Sequence, residues 1–292
     1  MRVHLLDGTY ELFRHFYAMP HQQGRDGREV AAIIGVLGSI LGMFEGDTTH
    51  LGVATDHVIE SFRNDLWAGY KTSAGIEPDL LAQFHPLEDA LRAMGVTVWA
   101  MGEFEADDAL AAAAHQAAQS PIVEQVIICT PDKDLSQCVR GERVVQLDRR
   151  KRELRDERGV VARFGVAPES IPDYLALVGD SADGFPGVPG WGEKASGSVL
   201  GRYVHLERIP ANSREWEVPV RGAARLAAAL AEHRDLAVLF RTLATLRTDV
   251  PVFGTVEDLR WRGPRAEFEG VAQRLGVSGL WDRARRIPLV TE

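Results

Sequence analysis

Two cysteines in 292 residues rule out a disulfide framework. Cys129 lies inside the apolar stretch VIICT, which predicts a buried, inert thiol, and its spacing to Cys138 does not suggest zinc. Long apolar runs are missing as well. None approaches a membrane span, and the opening MRVHLLDGTYELF has no extended apolar core of the kind a secretory leader carries, so the expected location is the cytoplasm. No low-complexity tract or internal repeat interrupts a composition that is 45% hydrophobic and 26% charged, as in globular proteins. The last shortage is positive charge. A formal net charge of −9 argues against a chain that coats nucleic acid with a uniformly basic surface.

What is present is most concentrated in Gly179–Ser196, GDSADGFPGVPGWGEKAS. Gly187, Gly190 and Gly192 let main-chain N–H groups approach a ligand with no side chain in the way. Pro186 and Pro189 stiffen the turn. A helix starting near Gly192, with Lys194 in its first turn, would direct its positive end at the same place. Helix, glycine–proline hairpin, helix is an arrangement suited to gripping a phosphate backbone, and an ordinary surface loop is the plain alternative.

Apolar runs at Val3–Leu6, His50–Thr55, Val96–Met101, Gln125–Thr130 and Arg143–Leu147 read as strands. Between them, Tyr10–Ala18, Val30–Phe44, Leu80–Met94 and the alanine-rich Glu105–Gln119 have helical spacing. The alternation predicts an α/β fold with a mostly parallel central sheet flanked by helices. Beyond about residue 160 the pattern turns helical, at Ile171–Val178, at Val220–Leu246 with a break at Asp235, at Pro264–Leu275 and at Ser278–Arg286, with a small strand at Val250–Phe253. The expected division is an α/β domain over 1–160 and an all-helical domain over 161–292, its helix–hairpin–helix at about 171–202.

Acids mark the ends of the strands. Asp7, Asp56 and Asp132 each follow an apolar run, and parallel sheets bind ligands at the carboxyl ends of their strands. Glu105 and Asp108 are neighbours on one helix face, whereas Asp107 points elsewhere. Asp134, Asp180 and Asp183 complete the set. Taken singly, any of these acids reads as a cap or a solvated charge, and Asp132-Lys133-Asp134 alone reads better as an N-cap. Unrelated caps have no reason to recur on strand after strand. Two carboxylates about 4 Å apart repel by about 4 kcal/mol at an effective dielectric of 20, so a shared site needs cations. An all-oxygen ligand set suits Mg²⁺ or Mn²⁺ rather than zinc.

The motifs LLDGTYELFRHFYAMP, VATDHVIESFRNDLWAGYK, EADDALA, TPDKDLSQ and GDSADGFPGVPGWGEKAS together resemble the 5′-nuclease family, the flap endonucleases and the 5′–3′ exonuclease domain of bacterial DNA polymerase I. The resemblance runs over essentially the whole chain, and the last motif, the family's helix–three-turn–helix, is the most specific. It implies a PIN-like nuclease fold working by two-metal phosphodiester hydrolysis. Asp7, Asp56, Glu105, Asp107 and Asp108 would serve one metal, and Asp132, Asp134, Asp180 and Asp183 the other. Lys71 and Arg63 would neutralise the scissile phosphate, and Tyr70 would stack on the nearest base or lie in the core. The hairpin, with Gly187, Gly190, Gly192 and Lys194, would hold the duplex backbone, with K⁺ bound by its carbonyls. Arg149, Arg150 and Lys151 would reach duplex phosphates or form a solvated face.

Three positions depart from the family pattern. Ala74 stands where an arginine often sits in a clamp over the single strand, Pro131 precedes the DKD motif, and Gly184-Phe185 replaces the common Asn-Ile. Every acid of the family's set is present, which counts against a non-catalytic branched-DNA-binding protein of the same fold. Asp7-Gly8-Thr9 also echoes haloacid-dehalogenase phosphatases, but their chemistry needs a nucleophilic aspartate where this chain has Leu5. The expected substrate is DNA with 5′ flaps, nicks, gaps or free 5′ ends, or RNA–DNA primers, handled by a monomer that associates with the nucleoid while it acts.

Overall fold

The computed structural model describes residues 1–289. In chain order the first elements are β1 (Arg2–Asp7), α1 (Gly8–Ala18), α2 (Ala31–Phe44), β2 (His50–Asp56), α3 (Phe62–Leu66) and α4 (Pro78–Leu81). Then come α5 (Phe84–Ala93), β3 (Thr97–Met101), α6 (Ala106–Gln119), β4 (Gln125–Cys129), β5 (Val144–Asp148) and β6 (Glu153–Arg155). The remainder is helical: α7 (Glu157–Phe164), α8 (Ile171–Val178), α9 (Glu193–Tyr203), α10 (Ala223–Glu232), α11 (Arg234–Ala244), α12 (Glu267–Arg274) and α13 (Gly279–Arg286).

These elements form two compact units, each discontinuous in sequence. The first holds Met1–Ile59, Ser73–Thr130 and the chain from Thr248 onward, and the second holds Glu60–Thr72 and Pro131–Arg247. The expected boundary near residue 160 is therefore not where the compact units divide. The reason is that α12 packs on α5 and α13 on α2, which returns the last helices to the first unit.

In the first unit four strands lie in the order β3-β2-β1-β4, all parallel. β2 is buried along its whole length and β1 along all but Arg2, as central strands covered on both faces should be. The alanines of α6 other than Ala118 are buried, and their small side chains let that helix pack across β1, β2 and β3. Gly52 is required by its neighbour, because a Cβ there would stand 2.2 Å from the Trp99 ring. Two expectations change here. Leu80–Met94 is not one helix but α4 and α5, since Pro86 has no N–H to continue the ladder back through residue 82. Val250–Phe253 is irregular rather than a strand, and side chains take its carbonyls: Trp99 Nε1 donates to Val252 at 2.6 Å and Gln116 Nε2 to Phe253 at 2.8 Å.

In the second unit β5 and β6 pair antiparallel. β6 is three residues long and mostly exposed, so no alternating pattern announced it. The helices surround a core of Phe164, Tyr174, Leu177, Phe185, Trp191 and Phe240, with α8 packed on α9 and α11. The hairpin expected between two helices connects α8 to α9, and the stretch 220–246 breaks at His233 rather than at Asp235, which lies in the first turn of α11. Among the described residues no helix is long and apolar enough to cross a membrane.

Candidate active site

In the first unit the acids gather at strand ends and at helix N-termini. Asp7 ends β1 and caps α1, its Oδ1 accepting the Tyr10 N–H at 2.8 Å while Oδ2 accepts the Thr130 hydroxyl at 3.0 Å. Parallel register sets Asp7 opposite Ala54, two residues before Asp56 on the neighbouring strand. Asp56 in turn accepts the Ala106 N–H at 2.8 Å, which puts it at the positive end of α6. Glu105 is the N-cap of that helix, and its N–H donates to the Asp108 carboxylate at 3.0 Å. Asp7, Asp56, Glu105 and Asp108 are all buried, and Asp108 is fully so, whereas Asp107 is half-buried on the same first turn.

In the second unit three acids converge. Asp134, Asp180 and Asp183 each offer a carboxylate oxygen, and these oxygens lie within 4.8 Å of one another. Asp134 opens the 3₁₀ turn Asp134–Cys138 after β4, and the other two come from the start of the hairpin. Asp132 is exposed and its Oδ1 accepts the Asp134 N–H at 2.9 Å. It stands one residue ahead of the N-cap position, which Lys133 occupies without a side-chain cap, so Asp132 is not the N-cap its local sequence suggested. Lys133, passed over in the sequence, forms an ion pair with Asp180. The acids flanking it were the available signal. Burial pulls the Lys133 ammonium down, but the carboxylates of Asp134, Asp180 and Asp132 outweigh that and hold it above its ordinary range.

The segment 60–72 delivers Lys71 to this cluster. The Lys71 N–H donates to the Asp183 carbonyl at 3.0 Å, and Lys71 Nζ lies 3.0 Å from Asp183 Oδ1. Trp67 Nε1 donates to the Gly184 carbonyl, also at 3.0 Å. Gly184 has φ of +83°, and a Cβ there would stand 2.0 Å from the Gly69 carbonyl oxygen. Glycine at 184 is thus what lets the two backbones close on each other, and the departure from the family's Asn-Ile has a packing reason.

Arg63 and Tyr70 are placed otherwise than expected. Arg63 is 1% exposed, with Nε donating to the Leu243 carbonyl at 2.7 Å and Nη2 to the Thr245 carbonyl at 3.2 Å. It neutralises the carboxyl end of α11 instead of facing a phosphate. Arg63→Ala is therefore expected to lower unfolding stability by about 1–3 kcal/mol through the stranded carbonyls. Denaturant melts would measure the loss, and the folded fraction should keep most of its turnover. Tyr70 is buried in the core of the second unit and carries Lys71 Nζ over its ring at 5.6 Å, so it supports the lysine rather than a base.

Of the hairpin glycines, Gly190 and Gly192 are exposed, as is Lys194 in the first turn of α9. Gly187 is buried, with the position of a Cβ only 2.4 Å from the Gly179 nitrogen; it closes the hairpin instead of meeting a ligand. Arg149, Arg150 and Lys151 lie on the β5–β6 turn, where Asp148 Oδ1 accepts the N–H groups of Arg150 and Lys151 at 3.0 and 3.1 Å. Arg150 and Lys151 are exposed and Arg149 is half-buried.

The carboxylates of the second unit suit a divalent cation. Asp134 Oδ1 is buried with no hydrogen-bond partner among the described residues. Burial, reinforced by Asp132, Asp183 and Asp180 and only partly offset by Lys133, pushes the Asp134 carboxyl well above its ordinary 3.8. The folded protein then keeps a proton that the unfolded chain gives up, so stability without metal falls as pH rises above about 3.8. Asp134→Asn removes that loss. In excess chelator the variant is expected to melt several degrees above the unaltered protein at pH 8 and by a smaller margin at pH 5. An equal margin at both pH values would contradict the assignment.

A family model of the 5′-3′ exonuclease N-terminal, resolvase-like domain matches residues 2–165, and one of the 5′-3′ exonuclease C-terminal SAM fold matches residues 166–267. The chain is 32% identical over 264 residues to a 5′-3′ exonuclease of Aquifex aeolicus, covering 90% of this chain and 87% of that protein. It is 35% identical over 273 residues to DNA polymerase I of Pseudomonas aeruginosa, covering 90% of this chain but only 29% of the polymerase. The T5 5′-exonuclease, solved with bound zinc ions, shares the fold at a TM-score of 0.64 and 15% identity over 98% of each chain. With adjoining family models covering residues 2–267 and a relative matched over most of its own length, the chain belongs to the 5′-3′ exonuclease family.

Proposed function

We propose that the chain hydrolyses DNA phosphodiesters at 5′ ends and 5′ flaps with two divalent ions, Mg²⁺ or Mn²⁺. The observation that carries this reading is the approach of Asp134, Asp180 and Asp183 to within 4.8 Å, with Lys71 Nζ 3.0 Å from Asp183. These three acids, with Asp132 beside them, would hold one ion. Asp7, Asp56, Glu105, Asp107 and Asp108 would hold the other. A divalent ion supplies Lewis acidity and lowers the pKa of water. Lys71, braced by Tyr70 and by its backbone bond to Asp183, places its ammonium where charge builds on the scissile phosphate. Gly190, Gly192 and Lys194 at the N-terminus of α9 grip a duplex phosphate, and Arg150 and Lys151 add sequence-independent contacts. Binding of K⁺ by hairpin carbonyls, action on RNA–DNA primers, work as a monomer and association with the nucleoid belong to the same proposal.

The test is a set of 5′-labelled substrates in Mg²⁺: a nicked duplex, a 5′-flap duplex, and the same flap with a bulky block on its 5′ end. Mononucleotides from the nick and an intact flap from the second substrate are expected. Cutting of the blocked flap would show that no free 5′ end has to be threaded, in keeping with Ala74 in the clamp position. Tight binding of all three without any cleavage would overturn the proposal.

A further inference from the structure

The second unit contains a cavity of about 720 Å³, bounded by the end of α7, by α8 and by the hairpin, and of the residues lining it Asp180 alone is placed in the metal set. Its wall carries two cations, Lys133 and Arg163, and two acids, Asp180 and Glu193. Lys133 is paired with Asp180. Arg163 has no salt-bridge partner among the described residues; it is exposed, and its guanidinium lies 5.0 Å from the centre of the Phe164 ring. That aromatic face fixes the cation without neutralising it.

Two hydroxyls open into the same space. Neither Tyr174 nor Ser181 has a side-chain hydrogen-bond partner among the described residues. Burial, with Glu193 nearby, pushes the Tyr174 phenol up to about 12, so it remains a donor at any working pH. Phe164 and Phe185 form an apolar wall beside these groups. An unpaired guanidinium, two donors and an aromatic wall are what a phosphate carrying a sugar and base requires.

We propose that this cavity is a subsite for one phosphodiester of a nucleic-acid strand, with Arg163 as its charge partner and Tyr174 and Ser181 as hydroxyl donors. The inference rests on the nuclease reading and extends it to residues outside the carboxylate sets and the hairpin glycines. The two cations and two acids of the wall already balance. A phosphodiester with one negative charge therefore meets less repulsion from Asp180 and Glu193 than a nucleoside monophosphate, which carries close to two at neutral pH.

The test measures equilibrium binding of a nicked duplex between 50 and 200 mM KCl, with Ca²⁺ in place of Mg²⁺ so that no turnover intervenes. Arg163→Ala is expected to weaken binding by about fivefold to tenfold at the lowest salt. It should also make the dependence of log K on log salt shallower by about 0.9, the value of one lost phosphate contact. Arg163→Lys should recover most of that slope. Tyr174→Phe should weaken binding by about threefold and leave the slope unchanged. Thermal melts of each variant verify that it is folded. Unaltered affinity and slope in folded Arg163→Ala, with wild-type cleavage intact, would overturn the subsite alone. Binding of dAMP that Arg163→Ala abolishes, with duplex binding untouched, would also overturn it and assign the cavity to product. A wild type that neither binds nor cuts the nicked duplex would overturn both this inference and the nuclease reading.

Discussion

Asp180→Asn is expected to slow cleavage of a 5′-ended strand by about 10³-fold or more in Mg²⁺, while affinity for nicked duplex stays nearly constant. The side chain is 4% exposed, lines up with Asp134 and Asp183, and is the ion-pair partner of Lys133. Asparagine keeps its shape and removes its charge. A divalent ion is worth several kcal/mol of charge stabilisation in such chemistry, and each 1.36 kcal/mol is tenfold in rate, which sets the size of the loss. The duplex is expected to be gripped elsewhere, by the exposed Gly190, Gly192 and Lys194, so binding and turnover should separate. Single-turnover rates beside anisotropy titrations would measure both. A variant retaining a tenth or more of the wild-type rate would remove Asp180 from the metal set.

Lys71→Ala should cost about 10²–10³ in the chemical step, the usual size for one preorganised electrostatic donor. Its effect should fall on kcat more than on KM, because the ammonium gains most where charge develops. The geometry also forecasts the rescue. Lys71→Arg keeps the cation but replaces a compact ammonium, seated over Tyr70 and 3.0 Å from Asp183, with a broad planar group, so it should recover only part of the rate. Equal losses in kcat and affinity would assign Lys71 to ground-state binding instead.

Much of this site could be read from the sequence because the signals were local. Asp7 and Asp56 follow buried apolar runs directly, and the strand ends put them on one sheet edge. The hairpin was legible from the rigidity of its prolines and the freedom of its glycines. What escaped depended on partners distant in sequence. Arg63 sits in a stretch that mixes aromatic and basic residues, yet the carbonyl it caps lies 180 residues away. Gly184 departs from the family's pattern for a reason that its local sequence does not carry, the close approach of the Gly69 carbonyl. Tyr70 could stack on a base or lie in the core, and only the packing of the second unit decides for the core. The last helices, read as part of the second domain, pack on α5 and α2, a pairing that no local pattern encodes.

The most direct test of the account is the time course of a 5′-labelled nicked duplex with Mg²⁺, run with and without excess EDTA. Release of 5′ nucleotides in Mg²⁺, halted by EDTA and restored by added Mg²⁺, is the predicted result. Equal cleavage in EDTA, or none in Mg²⁺ by a protein that binds the duplex, would contradict metal-dependent hydrolysis by these carboxylates.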